Sequence, residues 1–139
     1  MKYYSQGMRP SLYSIEEEFG MLDKANRWIV LANKLPWDAY ERTYNALLRN
    51  KHRGTNNKPA RMVIGALIIK HRLSLSDDET LLSIQENPYM QYFIGLQCFT
   101  TRRPFARNLL LKARQRMGEE FLRRVFHEAD RLAGGGRRK

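Results

Sequence analysis

Pro59-Ala60-Arg61-Met62-Val63-Ile64-Gly65-Ala66-Leu67-Ile68-Ile69-Lys70-His71-Arg72 decides how this chain folds. From Met62 to Ile69 the run is apolar on every side, which is the pattern of a helix enclosed by other helices. Proline suits the first turn, because its missing N–H has no intrahelical partner there. Lys70, His71 and Arg72 place positive charge where the helix dipole favours it. The apolar stretch is far shorter than the roughly 20 residues that a membrane crossing needs. Gly65-Ala66 leaves room for a neighbouring backbone to come close.

Downstream, Ser76-Asp77-Asp78-Glu79 has the S-x-x-E form of a capping box and opens a helix from Asp77 to about Gln85. Asn87-Pro88 repeats the signal for a short helix that ends at Gly95. Leu96 to Phe105 reads as a loop carrying Arg102-Arg103-Pro104. A helix follows from about Arg107 to Met117, with Leu109, Leu110, Ala113 and Met117 in one apolar arc. Lys112 and Arg116 fall on one side of that arc, Arg107 and Arg114 on the other. Gly118 breaks the helix, and a last one runs to about Leu132 with Leu122, Val125, Phe126 and Ala129 as its seam.

Upstream, Asp23 to Lys34 predicts a helix stopped by Leu35-Pro36. A second opens near Trp37-Asp38 and runs to Arg49, with Trp37, Tyr40, Tyr44 and Leu47 on one stripe. Asn50 to Lys58 is a polar, basic loop. No segment alternates with a strand period. The expected fold is all-α, a compact bundle of six to seven helices with helix-turn-helix-like pairs. Residues 1–22, including Glu16-Glu17-Glu18, form an arm ahead of a domain at 23–132, and residues 133–139 a flexible glycine-rich basic tail.

The chain has 139 residues and a formal net charge of +11. That charge is lopsided: residues 1–95 hold 13 basic and 10 acidic side chains (+3), residues 96–139 hold 12 and 4 (+8). Such a field favours a polyanion, above all nucleic acid. Cys98 is the single cysteine, so no internal disulfide or cysteine cluster forms. His52, His71 and His127 read as surface or helix-end residues without metal-ligand spacing. Asp77-Asp78-Glu79 is no two-metal centre, since consecutive helical side chains point about 100° apart. It is explained as acid at a helix N-terminus. No phosphate loop, nucleophile elbow or His-Glu-x-x-His motif is present. The N-terminus lacks an apolar signal segment, and a cytoplasmic setting is expected. Tyr89, Tyr92, Phe93 and Phe99 could stack bases, but their helical spacing favours core packing.

Two helix pairs fit helix-turn-helix logic, 59–72 with 77–85 and 107–117 with 119–132. The order Met62-Val63-Ile64-Gly65-Ala66-Leu67-Ile68-Ile69-Lys70, Leu75-Ser76-Asp77-Asp78-Glu79, Glu86-Asn87-Pro88-Tyr89-Met90-Gln91-Tyr92-Phe93-Ile94-Gly95, Pro104-Phe105 and Arg114-Gln115-Arg116-Met117-Gly118-Glu119-Glu120 resembles the N-terminal domain of InsH-type insertion-sequence transposases. The likeness covers about residues 20 to 132. It implies a helical domain that recognises terminal inverted repeats in double-stranded DNA, ahead of an RNase H-like domain whose acids bind metal. That second domain is expected to be absent from this chain, so neither catalysis nor a cofactor is expected of it. Where relatives carry an Asp-Pro-Ser type helix start, this chain has Ala106-Arg107-Asn108, with Asn108 able to cap one turn later. The candidate DNA-contacting residues are Arg102, Arg103, Arg107, Lys112, Arg114, Arg116, Arg123 and Arg124, mostly to phosphates. Pairing with full-length transposase, self-association through the apolar seams, a modulator role without catalysis and RNA binding stay open as alternatives. No membrane partner is expected.

Overall fold

A computed structural model describes residues 20–48 and 58–134. The arm through residue 19, most of the 50–58 loop with His52, and the tail from residue 135 lie outside the described residues. Seven helices are described in full: α1 (Arg27–Lys34), α2 (Trp37–Leu48), α3 (Ala60–Leu73), α4 (Asp77–Glu86), α5 (Pro88–Phe93), α6 (Leu109–Met117) and α7 (Glu119–Leu132). There is no strand among the described residues.

Helix α3 is the central rod. Met62 to Ile69 are all buried, and α3 packs against α2, α4, α5, α6 and α7. The Cβ that Gly65 lacks would stand 3.2 Å from Ile94 Cγ2, so the end of α5 rests directly on the α3 backbone. At its C-terminus Ser74 takes the left-handed conformation (φ 54°), and the Leu75 N–H returns to the Lys70 carbonyl. That geometry closes the helix as a Schellman-type turn.

Local capping sets the neighbouring elements. Ser76 Oγ accepts from the Glu79 N–H at 3.0 Å, and Asn87 Oδ1 accepts from the N–H groups of Tyr89 and Met90. Helix α1 begins at Arg27, four residues later than the expected Asp23. Asp23 Oδ1 turns back on the Ala25 N–H, and Asn26 becomes the cap, accepting from the Trp28 N–H at 2.8 Å. Helix α6 likewise starts at Leu109 and not at Arg107. Asn108 occupies the cap position (φ −94°, ψ 9°) without a side-chain capping bond, so the expected rescue by its amide does not form.

The aromatic residues tie α1, α2 and α5 together. Phe93 is fully buried and meets Trp28 and Trp37 edge-on at 5.3 and 5.5 Å between ring centres. The Trp37 indole N–H donates to the Ala32 carbonyl, one of the last in α1, which the helix itself leaves unpaired. Of the four aromatic residues read as core or stacking, Phe93 is core, Tyr89 and Tyr92 are half-buried against it, and Phe99 remains 37% exposed.

Buried Gln91 organises the connection between α5 and α6. Its Nε2 donates to the carbonyls of Ile84, Gln85 and Thr100, while its Oε1 accepts from the Thr100 N–H. Gln85 adds a bond to the Thr101 carbonyl at 2.8 Å. A buried amide with all its polar atoms engaged fixes the loop by its main chain just ahead of Arg102 and Arg103.

Candidate nucleic-acid interface

The eight expected DNA-contacting cations do not form one face. They fall into three sets that meet different neighbours.

The first set is neutralised from within. Arg114 makes a two-pronged contact with Asp77 (2.9 and 3.1 Å), and Lys70 approaches the same carboxylate at 3.4 Å. Arg107 makes a similar two-pronged contact with Asp78, at 3.1 Å on each prong. The acids at the start of α4 therefore do more than complement a helix dipole: they dock α6 and the turn before it onto α4. Arg114's hydrogen bonds hold the Asp77 carboxyl below the ordinary carboxylate range, against the opposing pull of burial. Arg107 and Asp78 are both largely exposed, so that pair contributes little. This arrangement also removes one helix-turn-helix candidate. Helix α4 carries no lysine or arginine, and Asp77 and Asp78 are occupied, so the α3–α4 pair has no cationic second helix to present.

Asp77→Asn should cost about 1 kcal/mol at neutral pH, the value of a well-formed, partly buried ion pair. The folded carboxyl is more acidic than the unfolded one. Its stabilisation is therefore complete above the unfolded value near 3.9 and is lost as the pH drops through the lower folded value. Urea titrations of wild type and variant should differ at pH 7 and converge near pH 2.

The second set faces α2. Arg116 lies close enough to Tyr44 to offset part of the rise that burial imposes on that phenol's pKa. Lys112 stands one turn earlier on the same face of α6, and is exposed. On α7, Arg123, Arg124, His127 and Arg131 are all exposed. At 100° per residue they share an arc of about 100°, and Arg123 to Arg131 spans about 12 Å. Lys112, Arg116 and Arg123 make no ion pair among the described residues, while Arg124 and Arg131 make only loose ones, to Glu120 at 3.6 Å and Glu128 at 3.5 Å. Glycine 118, at φ 86°, is the single residue between α6 and α7, so the two cationic helix faces are held at a tight corner.

Between α2 and α7 runs a groove of about 630 Å³. Tyr40 and Phe121 meet edge-on at 6.2 Å in its floor, and the Tyr40 hydroxyl donates to Glu128 at 2.6 Å. Burial, then this bond to a carboxylate, push the Tyr40 pKa far up.

The third set is Arg102 and Arg103. Both are exposed on the loop that Gln91 anchors, at the far end of α4 and α5.

Two residues escaped the sequence reading. Arg131 joins the α7 row; its signal was the seven-residue step from Arg124, which returns to the same helix face. Arg61 is structural. Its guanidinium donates to the carbonyls of Tyr92 and Phe93, both at 2.9 Å, and lies 4.9 Å above the Trp37 ring. Burial lowers its pKa, and its role is to close the C-terminus of six-residue α5. His71 is a helix-end residue as expected, but a partnered one: its ring stacks on Phe126 at 4.5 Å and bonds Asp130, which Arg72 also holds. Burial raises the Asp130 pKa, but the bonds from His71 and Arg72 outweigh it and leave it lowered.

Among the described residues no group of three or more His, Cys, Asp or Glu side chains could hold a metal ion, and no helix is long and apolar enough to cross a membrane. No solved structure matches the chain. A curated relative from Rhizobium meliloti, "Uncharacterized protein ORF8 in nfe locus", is 30% identical over 96 residues, which are 69% of this chain and 45% of that protein. The chain thus spans under half of that relative's length. Residues 16–116 match the family model described as Transposase domain (DUF772), a span that takes in α1 to α5 and all of α6 but its last residue. That match covers well over half of the sequence, and the chain belongs to this transposase-domain family.

Proposed function

We propose that this domain binds double-stranded DNA in transposition, using the cationic row Lys112, Arg116, Arg123, Arg124 and Arg131 to grip phosphates. The single observation that carries the reading is that these five helix-borne cations make no ion pair or only a loose one among the described residues, unlike Arg107 and Arg114. Loose or absent pairing leaves these cations able to release counterions from a polyanion. Arg107 and Arg114 act instead as struts between α6 and α4, and Arg102 and Arg103 form a separate, loop-borne contact. Membership of a transposase family supports placing this DNA at the ends of a mobile element. In the finer form of the proposal the chain recognises terminal inverted repeats, as InsH-type enzymes do, and leaves strand transfer to a separate RNase H-like domain.

The test is duplex binding by fluorescence anisotropy across a salt series. With five cations engaged, log K should fall with log salt at a slope of about −4.5. A slope near −1 would remove the row as the binding surface. A terminal-repeat duplex that competes no better than a scrambled one would restrict the reading to non-specific binding.

A further inference from the structure

The groove between α2 and α7 interrupts the cationic row with an apolar floor, and a closed duplex has nothing to put there. Resting on the reading that the row binds DNA, we propose that this groove receives a nucleotide whose base has left the stack. The domain then holds frayed or single-stranded DNA in preference to a sealed duplex.

Chemistry and size carry the argument. The floor is made of the edges of the nearly buried Tyr40, Phe121 and Val125, walled by Ala39 and Thr43 of α2, and Arg123, Arg124, His127, Glu128 and Arg131 line the same groove. A duplex backbone satisfies the arginines but offers the floor only charged phosphates and sugars, at a desolvation cost with no apolar gain. An unstacked base is a flat apolar body joined to a phosphate, so one ligand meets both requirements. A base seated in the groove gains apolar contact with the exposed edges of these side chains, whereas taking a base out of a duplex costs its pairing and stacking. The site thus discriminates in favour of bases already unpaired. The volume of about 630 Å³ lies within the range of small-ligand pockets. The floor is also preformed: the Tyr40–Glu128 hydrogen bond and the edge-on Tyr40–Phe121 contact join the two helices across it.

The full chain is titrated against three DNAs with equal phosphate number: a blunt duplex, a duplex ending in four unpaired thymines on each strand, and that forked duplex with 2-aminopurine at the first unpaired position. The fork should bind about tenfold more tightly than the blunt duplex, and the 2-aminopurine emission should change on binding. Ala39→Phe and Thr43→Trp, each filling the groove from α2, should abolish the preference while leaving blunt-duplex affinity within about twofold. Equal affinity of wild type for fork and blunt duplex overturns the inference and leaves duplex binding intact. A preference that survives in whichever filled variant melts cooperatively also overturns it, since the base then sits elsewhere. Binding of an acidic amphipathic peptide to the groove, with no preference for the fork, would reassign the groove to a protein partner. Absence of binding to all three DNAs sinks the DNA reading itself.

Discussion

The double substitution Lys112→Glu with Arg123→Glu should weaken duplex binding by about a hundredfold at 0.1 M salt. Each reversal removes one phosphate contact and adds one repulsion. The salt slope should become shallower by about two, since each lost contact accounts for roughly 0.9. Neither side chain makes an ion pair among the described residues and both are exposed, so the change leaves no buried partner stranded. The control is Lys24→Glu with Arg27→Glu, which makes the same change in net charge just ahead of and within α1. If affinity depends only on total charge, the two variants will bind equally poorly and the row loses its special status. A loss confined to the α6–α7 variant, with melting temperatures unchanged in both, places the contact where the unpaired cations are.

Phe93→Ala is expected to be the most damaging core substitution, at about 3–5 kcal/mol. The ring is fully buried and touches Trp28 of α1 and Trp37 of α2 edge-on, so its removal opens a void where three helices meet. Aromatic pairs contribute beyond the area they bury, and two such pairs are lost together. A domain of this size has about 5–15 kcal/mol in total, so the variant should melt far below wild type. In urea the midpoint should drop with little change in slope. Phe93→Leu, which keeps most of the volume, should recover at least half of the loss. A cost below about 1 kcal/mol for the alanine variant would mean that the α1–α2–α5 junction is not part of the cooperative core.

Much of this fold was legible because the decisive signals are local. The all-round apolar character of Met62 to Ile69 could only belong to an enclosed helix. Ser76 and Asn87 cap within three residues of themselves, so their effect needs no tertiary knowledge. The start of α1 was misplaced because Asp23 and Asn26 are both plausible caps, and only the turn at Ala25 selects the second. The site was less legible for a different reason. Arg107 and Arg114 find their carboxylates 29 and 37 residues away, a relation set by how α6 lies against α4. Helical periodicity did separate Lys112 and Arg116 from Arg107 and Arg114, and the structure places the two groups against different neighbours. What periodicity could not supply was the identity of those neighbours, nor that Arg61, a cation just ahead of the apolar run of α3, would spend its charge on the carbonyls ending α5.

The Gln91 amide grips the peptide groups of Thr100, and the Gln85 amide the carbonyl of Thr101. Pro104 and Phe105 are buried just beyond, so the exposed Arg102 and Arg103 sit between two fixed points of the loop. Replacing two exposed side chains on such a mount should leave the frame beneath it folded.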